Sequence, residues 1–91
     1  MHIFEFHYDA GHGWLKVTRA DVKAVGLTEA DFSAYSYADA QHLYLEEDCD
    51  AGVFVQAFEA MKGMRPEFAE IDDGDDSFIR NKARLAGGAY A

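Results

Sequence analysis

The chain has 91 residues, 17 acidic against 8 basic, with a formal net charge of -9. A chain of this length forms one domain. Its acidity disfavours direct binding of DNA, RNA or phosphate-bearing substrates, and points to basic protein surfaces as partners.

The elements are predicted in chain order. His2 to Tyr8 alternates as a half-buried strand, with Phe4, Phe6 and Tyr8 on one side and Ile3, Glu5 and His7 on the other. Asp9–Gly13 supplies a five-residue turn whose two glycines are free to take positive φ, and Trp14–Val17 is the returning strand. Thr18 and Asp21 make a capping box for a short helix carrying Val22 and Val25, which Gly26 stops. Thr28 and Asp31 repeat the start signal for a single helical turn. Phe32–Tyr37 and His42–Glu46 are β-rich runs joined by residues 38–41; Leu43 and Leu45 face the core, and His42, Tyr44 and Glu46 face solvent. Asp48 or Asp50 caps the main helix, Ala51–Met61, whose buried stripe is Val53, Phe54, Ala57, Phe58 and Met61. Gly63 ends it and Pro66 prevents its resumption. Phe68–Ile71 reads as a last strand, Asp72–Asp76 as an acidic turn, and Phe78–Leu85 as a short helix or ordered tail; residues 87–91 fray. The fold class is α+β: a small antiparallel sheet with two helices on one face, order ββαββαβ, as a single domain over residues 1–86. Phe4, Phe6, Trp14, Phe54 and Phe58 are the candidate core.

The charge is segregated. Between Lys23 and Lys62 there are eight acids and no base; between Arg65 and Arg80 there are six more, again without a base. Such a field steers basic surfaces toward the chain. Helix capping accounts for one or two acids of Glu46, Glu47, Asp48 and Asp50, but four exceed what a cap needs, which makes them candidate partner contacts. Asp72, Asp73, Asp75 and Asp76 form a candidate partner-facing loop. Counted from Asp72, the sixth and twelfth positions are Ser77 and Ala83, so the loop is not an EF-hand. Tyr37 and Tyr44 are candidate aromatic anchors beside the acids; their alternative role is to pack the second face of the sheet.

Other chemistry is weakly supported. His7, Asp9 and His12 could meet around a metal, but no His-x-His, HExxH or CxxC spacing supports one, and neither a metal nor a cofactor is expected. Gly11-His-Gly13 lies in a hairpin and is not a phosphate loop. Cys49, the only cysteine, cannot form an internal disulfide, and four neighbouring carboxylates weaken it as a nucleophile. The N-terminal stretch has no basic leader, and the apolar-leaning segment Ala51–Met64 falls short of the ~20 residues a membrane span needs, so a soluble, cytoplasmic protein is expected.

Two blocks, Gly11-His-Gly-Trp-Leu15 with Lys16-Val17, and Ser36-Tyr37 leading to Tyr44-Leu-Glu-Glu-Asp-Cys-Asp50, resemble short uncharacterised bacterial proteins of phages, plasmids and other mobile elements. The resemblance covers most of residues 1–60 and brings no catalytic residues with it. Size and charge are also similar to those of mobile-element inhibitors, including anti-CRISPR and antirestriction proteins, some of which imitate the charge of DNA. The resemblance implies a non-enzymatic inhibitor acting in a bacterial host cell on the basic, nucleic-acid-binding surface of a defence protein. The alternative is a small accessory protein–protein interaction domain without DNA mimicry; a metal-dependent enzyme built on His7, Asp9 and His12 is a third class. A β-rich edge also suits the chain to homodimerise.

Overall fold

Alternating side chains along β1 (Ile3–Tyr8) and β2 (Gly13–Thr18) set Phe6 opposite Leu15 on one face and His7 opposite Trp14 on the other. In the computed structural model, which describes residues 2–85, four further strands complete the sheet. They are β3 (Tyr37–Ala38), β4 (His42–Glu46), β5 (Glu67–Asp72) and β6 (Ala83–Arg84), in the spatial order β5-β1-β2-β4-β3-β6. The helices are α1 (Arg19–Ala24) and α2 (Ala51–Lys62). The expected frayed tail at 87–91 lies outside the described residues.

The expected all-antiparallel sheet is corrected at one pair, because β5 runs parallel to β1. The reason is the crossover. β1, β2 and β4 alternate in direction, so β4 runs the same way as β1. Helix α2 then carries the chain back before β5 begins, as a connection between parallel strands must. The element order also gains β6 at its end, following a 3-10 turn at Phe78–Asn81.

The hairpin turn is made by Asp9 rather than by glycine. Asp9 N–H donates to His12 C=O at 2.9 Å, and Asp9 Oδ1 accepts from the N–H groups of Gly11 and His12 at 2.9 and 3.0 Å. Neither Gly11 nor Gly13 has positive φ. Gly13 is needed for space: a Cβ there would collide with the Phe6 ring, 2.8 Å from Cε2.

Helix α1 ends in a Schellman motif on Gly26 (φ 82°), with Gly26 N–H bonded to Lys23 C=O and Leu27 N–H to Val22 C=O. Its start is the expected capping box of Thr18 and Asp21. The expected turn at Thr28 is a 3-10 turn, Glu29–Asp31. Helix α2 closes on Gly63 in the left-handed region.

Both helices bury their apolar residues in one core. Val22, Phe54 and Phe58 pack with Phe4, Leu15, Val17, Leu43 and Leu45. The buried face of α2 is narrower than its stripe, since Val53 and Met61 are 39% and 61% exposed. The opposite sheet face carries a second cluster, Trp14, Tyr37, Tyr44 and Ile79. The 77–82 segment covers it, with Lys82 Nζ 5.2 Å from the Tyr44 ring centre. Tyr44 and Glu46 thus lie inside rather than facing solvent. Among the described residues no helix is long and apolar enough to cross a membrane.

Candidate functional site

The β4–α2 loop divides its four acids into two kinds. Glu46 is buried, and its Oε1 accepts from the N–H groups of Asp48 and Cys49, both at 3.0 Å. Asp50 is buried too, but makes no side-chain cap on α2, contrary to expectation. Its carboxylate instead accepts from Ser33 N–H at 3.0 Å, Ser33 Oγ at 2.7 Å and Ser36 Oγ, while Ser36 Oγ accepts from Glu46 N–H at 2.9 Å. This network is why Phe32–Ser36 is not a strand: the Ser33 amide is bonded to a side chain instead of a ladder partner. Glu47 and Asp48 remain exposed, as does Cys49. Desolvation, the bond to Glu46 and the surrounding carboxylates push the Cys49 thiol up from its ordinary pKa.

The second acidic window is divided likewise. Asp73 Oδ2 lies 3.1 Å from His7 Nδ1 and accepts from Ser77 Oγ at 2.6 Å. The other His7 nitrogen, Nε2, is 2.9 Å from Glu5 Oε1. That bond, with Lys16 assisting against desolvation, lowers the Glu5 pKa. Asp9, whose side chain is fully buried, holds Arg80 through two bonds of 2.6 and 2.9 Å and accepts Ser77 N–H at 2.8 Å. The Arg80 guanidinium is the main reason the Asp9 carboxyl lies far below the usual carboxylate range; burial opposes it, and the Ser77, Gly11 and His12 amides add to it. Burial works against the charge on Asp39, but bonds from Tyr44 Oη, two backbone amides and Lys82 outweigh it and hold its pKa low. Burial and Asp39 in turn push the Tyr44 phenol up. Asp72, Asp75 and Asp76 are exposed.

Of the ten expected contact residues, five are thus on the surface: Glu47, Asp48, Asp72, Asp75 and Asp76. Glu46, Asp50, Tyr37 and Tyr44 are buried, and Asp73 is tied to His7 and Ser77. The corrected placement has one physical reason: each of these side chains finds a partner or a packing site inside the fold.

Sequence reasoning missed a groove between α2 and β5. It has a volume of about 400 Å³, apolar lining from Phe6, Leu15, Val55 and Phe68, and three charged lining residues, Glu47, Glu70 and Arg65. A neighbouring hollow of about 360 Å³ shares Phe6, Glu47 and Glu70 and reaches Tyr8 and His12. Glu47 belongs to the first acidic window and Glu70 to the second, so the two windows meet here. The exposed Phe68 beside three acids in β5 was the available signal, but only the strand order places it next to Glu47.

A smaller cavity of about 240 Å³ on the opposite face is lined by Trp14, Tyr37, Arg80 and Arg84 with Glu46 and Asp48, so its charges balance. Trp14 Nε1 is buried there without a hydrogen-bond partner among the described residues. The residues weighed as metal ligands are engaged elsewhere, His7 with carboxylates and Asp9 with Arg80. Among the described residues no group of three or more His, Cys, Asp or Glu side chains is arranged to hold a metal. Comparison with known protein families, curated proteins and solved structures finds no match to this chain.

Proposed function

We propose that this protein is a non-enzymatic inhibitor that binds a basic, nucleic-acid-binding surface on another protein, a bacterial defence protein being the expected target. By occupying that surface it keeps nucleic acid away. The observation that carries this reading is the meeting of the two acidic windows at the α2–β5 groove, where Glu47 and Glu70 line the same hollow. Asp72, Asp75 and Asp76 are exposed as well, Asp76 lying 3.9 Å from Arg80, and Asp48 is exposed on the opposite face beside Arg80 and Arg84. A field of this kind accelerates encounter with a basic partner and is screened by salt.

A second reading rests on the apolar floor of the groove. Phe6, Leu15, Val55 and Phe68 suit an accessory protein–protein interaction domain whose partner is held by apolar contact instead of charge. Affinity capture from a bacterial lysate separates the two. The wild type is compared with the triple variant Glu47→Lys, Glu70→Lys, Asp72→Lys at low and high salt. A nucleic-acid-binding protein captured by the wild type, released by salt and lost in the variant supports the inhibitor reading. Capture that survives both salt and charge reversal shifts the assignment to the accessory domain.

A further inference from the structure

We propose that the free edge of β5 binds a basic, extended segment of the partner as an added strand of the sheet. The proposal rests on the acidic-surface reading above and specifies its binding mode.

β5 is the outermost strand on its side of the sheet, paired only with β1 among the described residues. Glu67 N–H donates inward to His2 C=O and Asp73 N–H to Tyr8 C=O. Backbone direction alternates along a strand, so Phe68, Glu70 and Asp72 turn their N–H and C=O groups outward. These groups form an unpaired template six residues long. Natural edges are usually blunted by charged side chains, lysine above all, by proline, a bulge or a covering element. Glu67–Asp72 contains neither lysine nor proline and carries only acids as charges, and Glu67, Phe68, Ala69 and Glu70 are all exposed.

The acids decide the occupant. In an antiparallel pairing with a second copy centred on Glu70, Glu70 would face Glu70 directly. Like charges directly opposite one another destabilise a strand pair, so Glu70 against Glu70 and Glu67 against Asp73 disfavour the homodimer in this register. Glu67, Glu70 and Asp72 favour a strand bearing lysine or arginine. Phe68, Glu70 and Asp72 share the helix-facing side of β5, and Ala69 and Ile71 the other, so basic residues on the helix-facing side of the added strand would meet Glu70 and Asp72 while the alternate apolar residues meet Ala69 and Ile71. The partner is therefore an extended basic segment with apolar residues in alternation.

The test uses the full chain and a short peptide alternating lysine and valine, together with two versions of that peptide N-methylated at alternate residues, one in each register. N-methylation keeps the charge but blocks backbone pairing from one edge. Binding of the unmodified peptide should slow hydrogen exchange at the Phe68, Glu70 and Asp72 amides. Methylation on the pairing edge should weaken binding by about tenfold or more. Equal binding of both methylation registers and of the unmodified peptide, with no new amide protection, overturns strand addition while leaving the acidic-surface reading intact. Absence of binding by any of the peptides at low salt overturns both.

Discussion

Asp50 and Glu47 lie three positions apart and have opposite fates. The Asp50 carboxylate organises Ser33 and Ser36 inside the protein, whereas Glu47 faces the groove. Asp50→Ala leaves a buried amide and two hydroxyls without their acceptor and is expected to cost about 2–4 kcal/mol. Urea denaturation measures it, and Glu47→Ala in the same experiment should change stability by less than about 0.5 kcal/mol. Asp9 makes the chain acid-sensitive. Its folded pKa is depressed, chiefly by Arg80, so its contribution is fully present above the ordinary aspartate value near 4 and is lost as pH falls below it. The unfolding free energy should be level in this respect above about pH 5 and decline below pH 4. Asp9→Asn should be less stable at neutral pH and show a shallower acid decline. Sequence alone could not separate Glu46 and Asp50 from Glu47 and Asp48, because burial depends on Ser36 and Ser33, 10 and 17 residues upstream.

At the scale of elements, local chemistry was readable at the caps and stops contained in a few residues, except at the start of α2, where Asp50 makes no side-chain cap. The Thr18–Asp21 box, the Gly26 stop, the β4 strand and the Gly63 end of α2 all fall where the sequence placed them. Elements defined by distant partners were not readable. Phe32–Tyr37 has the composition of a strand, but Phe32–Ser36 is held as a loop by Asp50 and only Tyr37 enters β3. The two-residue β6 exists only because Arg84 and Ala83 meet β3. The hairpin joins both cases: Gly13 was read as a turn glycine, whereas its role is to let the Phe6 ring lie against the backbone. Gly13→Ala should therefore destabilise the β1–β2 hairpin by about 1–3 kcal/mol through overpacking, although its φ is ordinary. Gly13→Ala combined with Phe6→Leu should recover part of that loss, as a double-mutant cycle in chemical denaturation would show.

For the whole molecule, the segregation of charge was visible in the sequence, but the convergence of its two windows was not. It depends on β5 crossing past two strands to land beside β1, which no local pattern encodes. The same long-range logic closes the opposite face, where Arg80 reaches Asp9 across 71 positions. That face also holds Trp14, the only tryptophan of the chain, beneath the Arg80 guanidinium at 5.2 Å. Both helices pack on the other side of the sheet. The molecule consequently carries an intrinsic optical separation: indole emission follows the seating of the 77–82 segment, while far-ultraviolet dichroism is weighted toward the helical side, so each half of the fold can be watched without a label.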